Sequence, residues 1–143
     1  TVTIDLDKVG VDGDIVLDNK EKAKRVKQVL EIIKILNRNI RGRQENLSPL
    51  FVIGGIYDIP NPFFQGRCEL TPNNNGFVLD LAPINSTLKT KLLGKSIIDD
   101  TFIGLIDNIF SNTDEIKNNF KDKVSSVQNF FSQLEDKIDK IYE

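Results

Sequence analysis

The chain has 143 residues, of which 39% are apolar and 28% are charged, and its formal net charge is -2. This length and balance are typical of a globular domain with its own core. Because the chain has no histidine and a single cysteine, Cys68, it cannot form a histidine-based triad, a zinc cluster or an internal disulfide.

The longest apolar runs, such as residues 49–57, are well short of the roughly 20 residues that a membrane span needs. No charged and then apolar leader opens the chain, so we expect a cytoplasmic protein with no membrane partner. The chain has no methionine and opens on a strand-like run, which predicts that it is part of a longer protein.

Charge is segregated along the chain. Residues 19–43 hold nine basic side chains against Glu21 and Glu31, a local net charge of +7 that leaves -9 for the rest. The basic residues are Lys20, Lys22, Lys24, Arg25, Lys27, Lys34, Arg38, Arg41 and Arg43. Because phosphate binding depends on local charge, this segment is a candidate polyanion-binding surface. A solvated lysine face is the alternative for residues 20–27.

The first elements follow from periodicity. Alternating apolar residues in 1–9 predict a half-buried strand that ends at the glycines of 10–13. Asp18 followed by Glu21 is typical of a capping box, and apolar residues then recur at helical spacing as far as Leu36. We expect a basic helix whose lysines face solvent while its apolar stripe packs on a sheet.

The next strand is predicted at 50–57, which is rich in β-branched and aromatic residues and follows Pro49. Gly54 and Gly55 interrupt it, either as a bulge or where another backbone or a ligand comes close. Residues 58–68 predict an extended loop, in which two phenylalanines are either buried or exposed contacts.

In the second half, turn residues at 71–76 separate two short strands, 67–70 and 77–81, and predict a hairpin. A helix is expected at 85–93 with Gly94 as its C-cap, and a strand at 101–108.

The C-terminal region carries the strongest periodic pattern. Apolar residues three and four apart predict one long amphipathic helix over 111–143, which packs on its own domain or pairs in a coiled coil. The periodic residues are Ile116, Phe120, Val124, Val127, Phe131, Leu134, Ile138 and Ile141. Together the elements predict a single α+β domain over 1–143, in which 1–110 form a mostly antiparallel sheet and helices and 111–143 the C-terminal helix.

Carboxylate pairs are the only candidates for catalysis or metal binding. They are Asp5 with Asp7, Asp12 with Asp14, and Asp99 with Asp100. Such pairs can hold magnesium, but their strand and turn positions favour a structural role for each of them. No nucleophile motif, P-loop or dinucleotide fingerprint accompanies them, so we expect no enzyme, catalytic residue, metal or cofactor. A metal-dependent nuclease is the most remote hypothesis.

An arginine-rich segment follows the basic helix and is predicted to be irregular. Guanidinium groups present forked donors to phosphate oxygens, and amide side chains add hydrogen bonds to phosphate, sugar or base edges. The alternative is that the helix dipole favours these arginines, or that Arg41 or Arg43 pairs with Glu45. The candidate RNA-binding residues are Lys34, Arg38, Arg41, Arg43, Gln44 and Asn46, with Gly54 and Gly55 as positions of close backbone approach.

The chain opens with TVTIDLDKVGV, continues with the charged helix and then reads LNRNIRGRQENLSPLFVIGGIY. This succession resembles the C-terminal half of the backbone subunits of type I CRISPR-associated Cascade complexes. These subunits form the DevR-type autoregulator family, and subtype I-B members are most similar. Over residues 1–60, the resemblance rests on the order of these segments. The strand FIGLIDNIF with an acidic helix start also fits.

The resemblance implies part of an RRM-like, ferredoxin-like core in a non-catalytic subunit of an antiviral ribonucleoprotein complex. Such subunits polymerise along the CRISPR RNA and hold its sugar-phosphate backbone, which would place residues 38–46 and the strand from Leu50 near the guide. The implied partners are the CRISPR RNA, copies of the chain, other Cascade subunits and, indirectly, target nucleic acid.

Family members carry a further N-terminal half, so a cleavage product, a split polypeptide or an engineered fragment is expected. The alternative function is a structural interaction module whose C-terminal helix binds a partner helix without RNA.

Overall fold

The computed structural model describes residues 1–143 and has four α-helices. They are α1 (Asn19–Lys34), α2 (Leu81–Leu88), α3 (Thr113–Phe120) and α4 (Val127–Tyr142). Single 3₁₀ turns occupy Leu6–Lys8, Ile97–Asp100 and Lys121–Lys123. No helix is both long enough and apolar enough to cross a membrane.

Eleven strands form one three-stranded sheet and four hairpins. The strands of the hairpins are β1 (Val11–Asp12) with β2 (Ile15–Val16), β3 (Asn37–Ile40) with β4 (Arg43–Asn46), β6 (Leu70–Asn73) with β7 (Gly76–Leu79), and β8 (Lys91–Leu92) with β9 (Lys95–Ser96). The sheet consists of β5 (Phe51–Gly55), β10 (Thr101–Leu105) and β11 (Val124–Ser125).

In the sheet the strand order is β11-β10-β5. β5 pairs antiparallel with β10 from Phe51 opposite Leu105 to Gly55 opposite Thr101, whereas β11 runs parallel to β10. The predicted α+β class with mostly antiparallel pairing is therefore confirmed, and so is the strand predicted at 50–57. Of the two alternatives for Gly54 and Gly55, the bulge is absent, because both glycines pair in regular register.

Helices cover both faces of this sheet. Since side chains alternate along a strand, Ile53 and Ile103 point to one face and Val52 and Phe102 to the other. The first face packs on a cluster from α2, α3 and the neighbouring segments: Leu79, Leu81, Ile84, Leu88, Phe110, Ile116 and Phe120. The second face packs on α4 and on the end of α1, through Leu30, Val127, Phe130, Phe131 and Leu134.

Gly104 in β10 lets α4 lie directly on the sheet. A β-carbon at this position would be 2.7 Å from Cγ1 of Val52 and 2.9 Å from Cβ of Phe130. Any larger residue would push the helix away from the strand.

The basic helix α1 begins as predicted, because Oδ1 of Asp18 accepts a hydrogen bond of 2.9 Å from the backbone N–H of Glu21. Its buried side chains are Ala23, Val26 and Leu30. They pack mainly against α4 rather than directly on the sheet. Val29 is one of the apolar residues that recur at helical spacing before Leu36, but it is 40% exposed.

The predicted C-terminal amphipathic helix is confirmed as α4, but its predicted extent as one continuous helix over 111–143 is wrong. The chain leaves α3 at Lys121, whose φ of 45° is not helical, runs through β11, and starts again at Ser126, whose Oγ accepts from the N–H of Asn129. α3 packs on one face of the sheet and α4 on the other, with β11 crossing between them at the sheet edge. The apolar period continues through the break because Ile116, Phe120 and Val124 pack on one face and Val127, Phe131 and Leu134 on the other. Of the last two periodic residues, Ile138 packs against α1 and Ile141 is 49% exposed.

The prediction of a strand over 1–9 is also wrong. No strand pairs with these residues, and Leu6–Lys8 forms a 3₁₀ turn. Ile4 and Leu6 instead pack as a loop against a small cluster of Ala23, Val26 and Ile138. The hydroxyl of Tyr142 fixes the turn by donating a hydrogen bond of 2.7 Å to the carbonyl of Leu6.

The helix predicted at 85–93 starts and ends earlier, as α2. Asp80 caps it by accepting from the N–H of Ala82, and Pro83 is tolerated because first-turn N–H groups have no partner within the helix. Gly94 is not a C-cap but, with Leu93, forms the turn between β8 and β9. The hairpin predicted around 71–76 is confirmed by β6 and β7.

The strand predicted at 101–108 is confirmed as β10. In the predicted loop at 58–68, the two phenylalanines are half-buried. Phe64 packs on the core cluster of the first sheet face, and Phe63 stacks edge to face on Tyr57 with ring centroids 5.0 Å apart.

Candidate nucleic-acid interface

The arginine-rich segment is a β-hairpin, not the irregular segment predicted. Residues 37–40 pair with 43–46 in four consecutive cross-strand pairs. The two turn residues, Arg41 and Gly42, have φ values of 50° and 77°. Positive φ at both positions is typical of the type I′ turns that close two-residue hairpins, which explains why glycine follows arginine here.

All eight strand residues of this hairpin are exposed, so neither of its faces packs on the core. It begins three residues after α1 ends, and the N–H of Leu47 extends its ladder by donating to the carbonyl of Leu36 at 2.8 Å. The hairpin is therefore an exposed extension of the basic helix.

Alternation along the two strands gives the hairpin two chemically different faces. We call the face with Arg38, Ile40, Arg43 and Glu45 the cationic face. We call the opposite face, with Asn37, Asn39, Gln44 and Asn46, the amide face. Four of the predicted RNA-binding residues are thus divided: Arg38 and Arg43 lie on one side, Gln44 and Asn46 on the other.

Ion pairs within the chain determine which cations of this region remain available to bind an anionic ligand. Arg38 donates through Nε to Glu45, the residue directly across from it, and Lys34 pairs with Glu31 one turn earlier in α1. Arg41 and Arg43 make no ion pair, although the sequence suggested one of them as the partner of Glu45. These two guanidinium groups, at the turn and next to it, are the unneutralised cations of the hairpin.

On the amide face, the pair farther from the turn, Asn37 with Asn46, makes hydrogen bonds within the chain. Asn37 donates a hydrogen bond of 3.2 Å to the carbonyl of Ile35, and Oδ1 of Asn46 accepts one of 2.9 Å from the N–H of Ser48. The side chains of Asn39 and Gln44, paired directly across, make no hydrogen bond within the chain. Sequence reasoning missed Asn37 and Asn39, and the alternating Asn-x-Asn before the Arg-Gly turn is the signal that identifies them.

The glycines predicted as points of close approach lie in β5, away from any regular turn. A β-carbon on Gly55 would be 1.9 Å from the carbonyl oxygen of Asp100, so the approaching backbone belongs to the chain itself. A β-carbon on Gly54 would meet only Cζ of Phe130, at an ordinary 3.8 Å. Close approach is therefore a packing requirement at Gly55 and does not occur at Gly54.

The carboxylate pairs do not converge. Asp5 pairs with Lys8, and Asp12 lies beside the exposed tip of the β1-β2 hairpin. Asp100 contacts both Lys95 and Lys137; burial alone would raise its pKa, but the hydrogen bonds from the two lysines outweigh it and lower the pKa. No group of three or more carboxylate or cysteine side chains comes together as a metal site would require.

The cleft beside Asp100, lined in part by Tyr57, Lys95 and Ile97, has a cavity volume of only about 10 Å³, far below the roughly 300 Å³ or more of ordinary ligand sites. The fold thus defines an α+β protein whose most distinctive exposed feature is the two-faced hairpin. No protein-family model, curated protein or solved structure matches the chain.

Proposed function

We propose that the chain is a non-catalytic RNA-binding subunit of the kind that forms the backbone of type I Cascade complexes. In this role it holds the sugar-phosphate backbone of a CRISPR RNA in the cytoplasm. The observation that carries the proposal is the exposed β3-β4 hairpin, on which Arg41 and Arg43 have no acidic partner within the chain.

The distribution of ion pairs supports a phosphate ligand at the hairpin. Five of the nine cations in 19–43 have an acidic partner: Lys24, Arg25, Lys27, Lys34 and Arg38. The cations without one lie at the start of α1, Lys20 and Lys22, and at the hairpin turn, Arg41 and Arg43. Guanidinium forks match phosphate oxygens, and binding gains free energy from the counterions that each contact releases.

Part of the order of the elements also supports the proposal, because the basic helix, the arginine-glycine segment and the glycine-ended strand β5 succeed one another as in the family that the sequence resembles. The strand expected before the helix, at residues 1–9, is not formed. Two segments would suit a partner that supplies strands: residues 1–5, which have no strand partner in the chain, and the outer edge of β5. Such a partner would be the N-terminal half that family members carry, completing an RRM-like core. Copies of the chain and other Cascade subunits would be its further partners.

The alternative, a partner helix bound to the C-terminal helix, lacks a free apolar face. Ile141 is 49% exposed, but the other aliphatic side chains and both phenylalanines of α4 are buried against α1 and the sheet: Val127, Phe130, Phe131, Leu134 and Ile138. A partner helix would have to displace them, at a cost of several buried side chains worth about 1.5–3 kcal/mol each.

Titration of the whole protein with fluorescent single-stranded RNAs of unrelated sequence tests the proposal. We expect similar affinity for each RNA and a steep loss of affinity as salt rises, because phosphate contacts dominate such binding. Absence of binding at low salt, or strong preference for one sequence, would contradict it.

A further inference from the structure

The amide face of the hairpin is a second chemical surface beside the arginines. Its four side chains form two cross-strand pairs, Asn37 with Asn46 and Asn39 with Gln44. Directly opposite residues on one face of an antiparallel pair have β-carbons about 5 Å apart, so each pair presents two neighbouring amides. All four residues are exposed.

The amides suit a ligand group different from the one the arginines suit. A guanidinium group only donates hydrogen bonds, whereas an amide side chain both donates and accepts. Phosphate oxygens of a nucleic acid accept only. A ribose 2′-hydroxyl donates and accepts, and it is the group by which a protein distinguishes RNA from DNA.

The central pair is free to bind. Asn39 and Gln44 make no side-chain hydrogen bond in the chain, and each of the outer amides has one polar atom engaged and one without a partner. On one side of the hairpin, the guanidinium groups without an acidic partner offer donors for phosphate. On the other side, the exposed amides offer both donors and acceptors.

We propose that the amide face contacts ribose 2′-hydroxyl groups of the bound RNA, with Asn39 and Gln44 as the central pair. Ribose rather than base is the partner, because each ribose is bonded to the phosphates that Arg41 and Arg43 hold, and because it is present whatever the sequence. The hairpin then selects RNA over DNA without reading bases. This inference rests on the proposed RNA-binding function.

Two double variants of the whole protein test the inference: Asn39→Ala with Gln44→Ala, and Asn39→Val with Gln44→Val, in which valine's strand propensity preserves the hairpin. Each variant is titrated with single-stranded RNA and with DNA of the same sequence over a range of salt concentrations. The matched control removes two exposed amides from another hairpin turn, Asn74→Ala with Asn75→Ala.

We expect both amide variants to lose RNA affinity by about tenfold, the effect of one or two hydrogen bonds, while DNA affinity and the salt dependence stay unchanged. The unchanged salt dependence shows that the arginines are still in place. The control variant should bind as the unaltered protein does.

An unchanged ratio of RNA to DNA affinity in both variants would overturn this inference alone and leave RNA binding by the arginines intact. An equal loss on RNA and DNA in the valine variant would overturn it too. If the unaltered protein binds no RNA, the proposed function fails and this inference with it.

Discussion

Gly55 faces the main chain of Asp100 so closely that a β-carbon on Gly55 would lie 1.9 Å from the carbonyl oxygen of Asp100. The neighbouring Gly54 has ordinary space, since its β-carbon would be 3.8 Å from the nearest atom, Cζ of Phe130. The two adjacent glycines of the same strand therefore carry very different constraints.

The first prediction concerns this pair. Gly55→Ala should lower the free energy of unfolding by about 2–3 kcal/mol or more, because the backbone of Asp100 cannot move away as a flexible side chain could. Gly54→Ala should cost less than about 0.5 kcal/mol or be slightly stabilising, since alanine restricts the unfolded chain. Urea unfolding of both variants checks this, and equal losses would contradict the packing at Gly55.

A second prediction concerns the break between α3 and α4. Lys121 has a φ of 45° and a ψ of -120°, a region that favours glycine. Lys121→Gly should therefore raise the free energy of unfolding by about 1 kcal/mol. Lys117→Gly, inside α3, should lower it by about the same amount. A loss in both variants would indicate a continuous helix across the segment.

A third prediction concerns alkaline pH. Burial, with the charge of Asp100 adding to it, raises the pKa of Tyr57 to about 12, against an ordinary value of 10.0. Because the folded value is the higher one, the stability that Tyr57 contributes is present below pH 10 and is lost as the pH rises from about 10 to 12. Tyr57→Phe should flatten the fall of unfolding free energy in that window.

Absorbance titration of tyrosinate in a Tyr142→Phe background measures the pKa of Tyr57 directly, since these are the only tyrosines. Ionisation of Tyr57 near the ordinary value would contradict its burial, which is the main cause of the raised pKa.

A fourth prediction concerns the contact between α1 and α4. Burial, and then the neighbouring carboxylate of Glu31, raise the pKa of Glu135 above the ordinary 4.5, although Lys34 and Lys27 act in the opposite direction. Its stabilising contribution is thus present below pH 4.5 and lost as the pH rises through the raised value.

Glu135→Gln should therefore raise the urea midpoint at neutral pH, and this advantage should disappear as the pH falls toward 4.5. Asp136→Asn, on an exposed position of the same helix, serves as the control and should show no such pH dependence. A lower urea midpoint for Glu135→Gln at neutral pH would contradict the raised pKa of Glu135.

Sequence patterns predicted elements whose signals are local. The cap at Asp18, the β-branched run of β5 and the turn residues between β6 and β7 each specify structure without distant contacts. The break at Lys121 could not be predicted this way, because periodicity reports which residues are buried, not which face of a sheet buries them.

The candidate site was predictable in composition but not in arrangement. The β3-β4 strands are polar on both faces and so lack the apolar alternation by which strands are recognised. The turn at Arg41 and Gly42 sets the register between β3 and β4. This register pairs Arg38 with Glu45 and places Gln44 on the face opposite the arginines of the strands.

The most direct test of the central claim is the salt dependence of single-stranded RNA binding by the double variant Arg41→Asn with Arg43→Gln. Asn-Gly is the preferred pair for a type I′ turn, so the hairpin is retained while two cations are removed. Lys89→Gln with Lys91→Gln removes the same charge from exposed lysines elsewhere and is the control.

We predict that the hairpin variant binds RNA more weakly and that the slope of log affinity against log salt falls by about 1.4, or about 0.7 for each lost phosphate contact. The control variant should keep the slope of the unaltered protein. If the folded hairpin variant keeps both the affinity and the slope, the β3-β4 hairpin is not the RNA-binding surface.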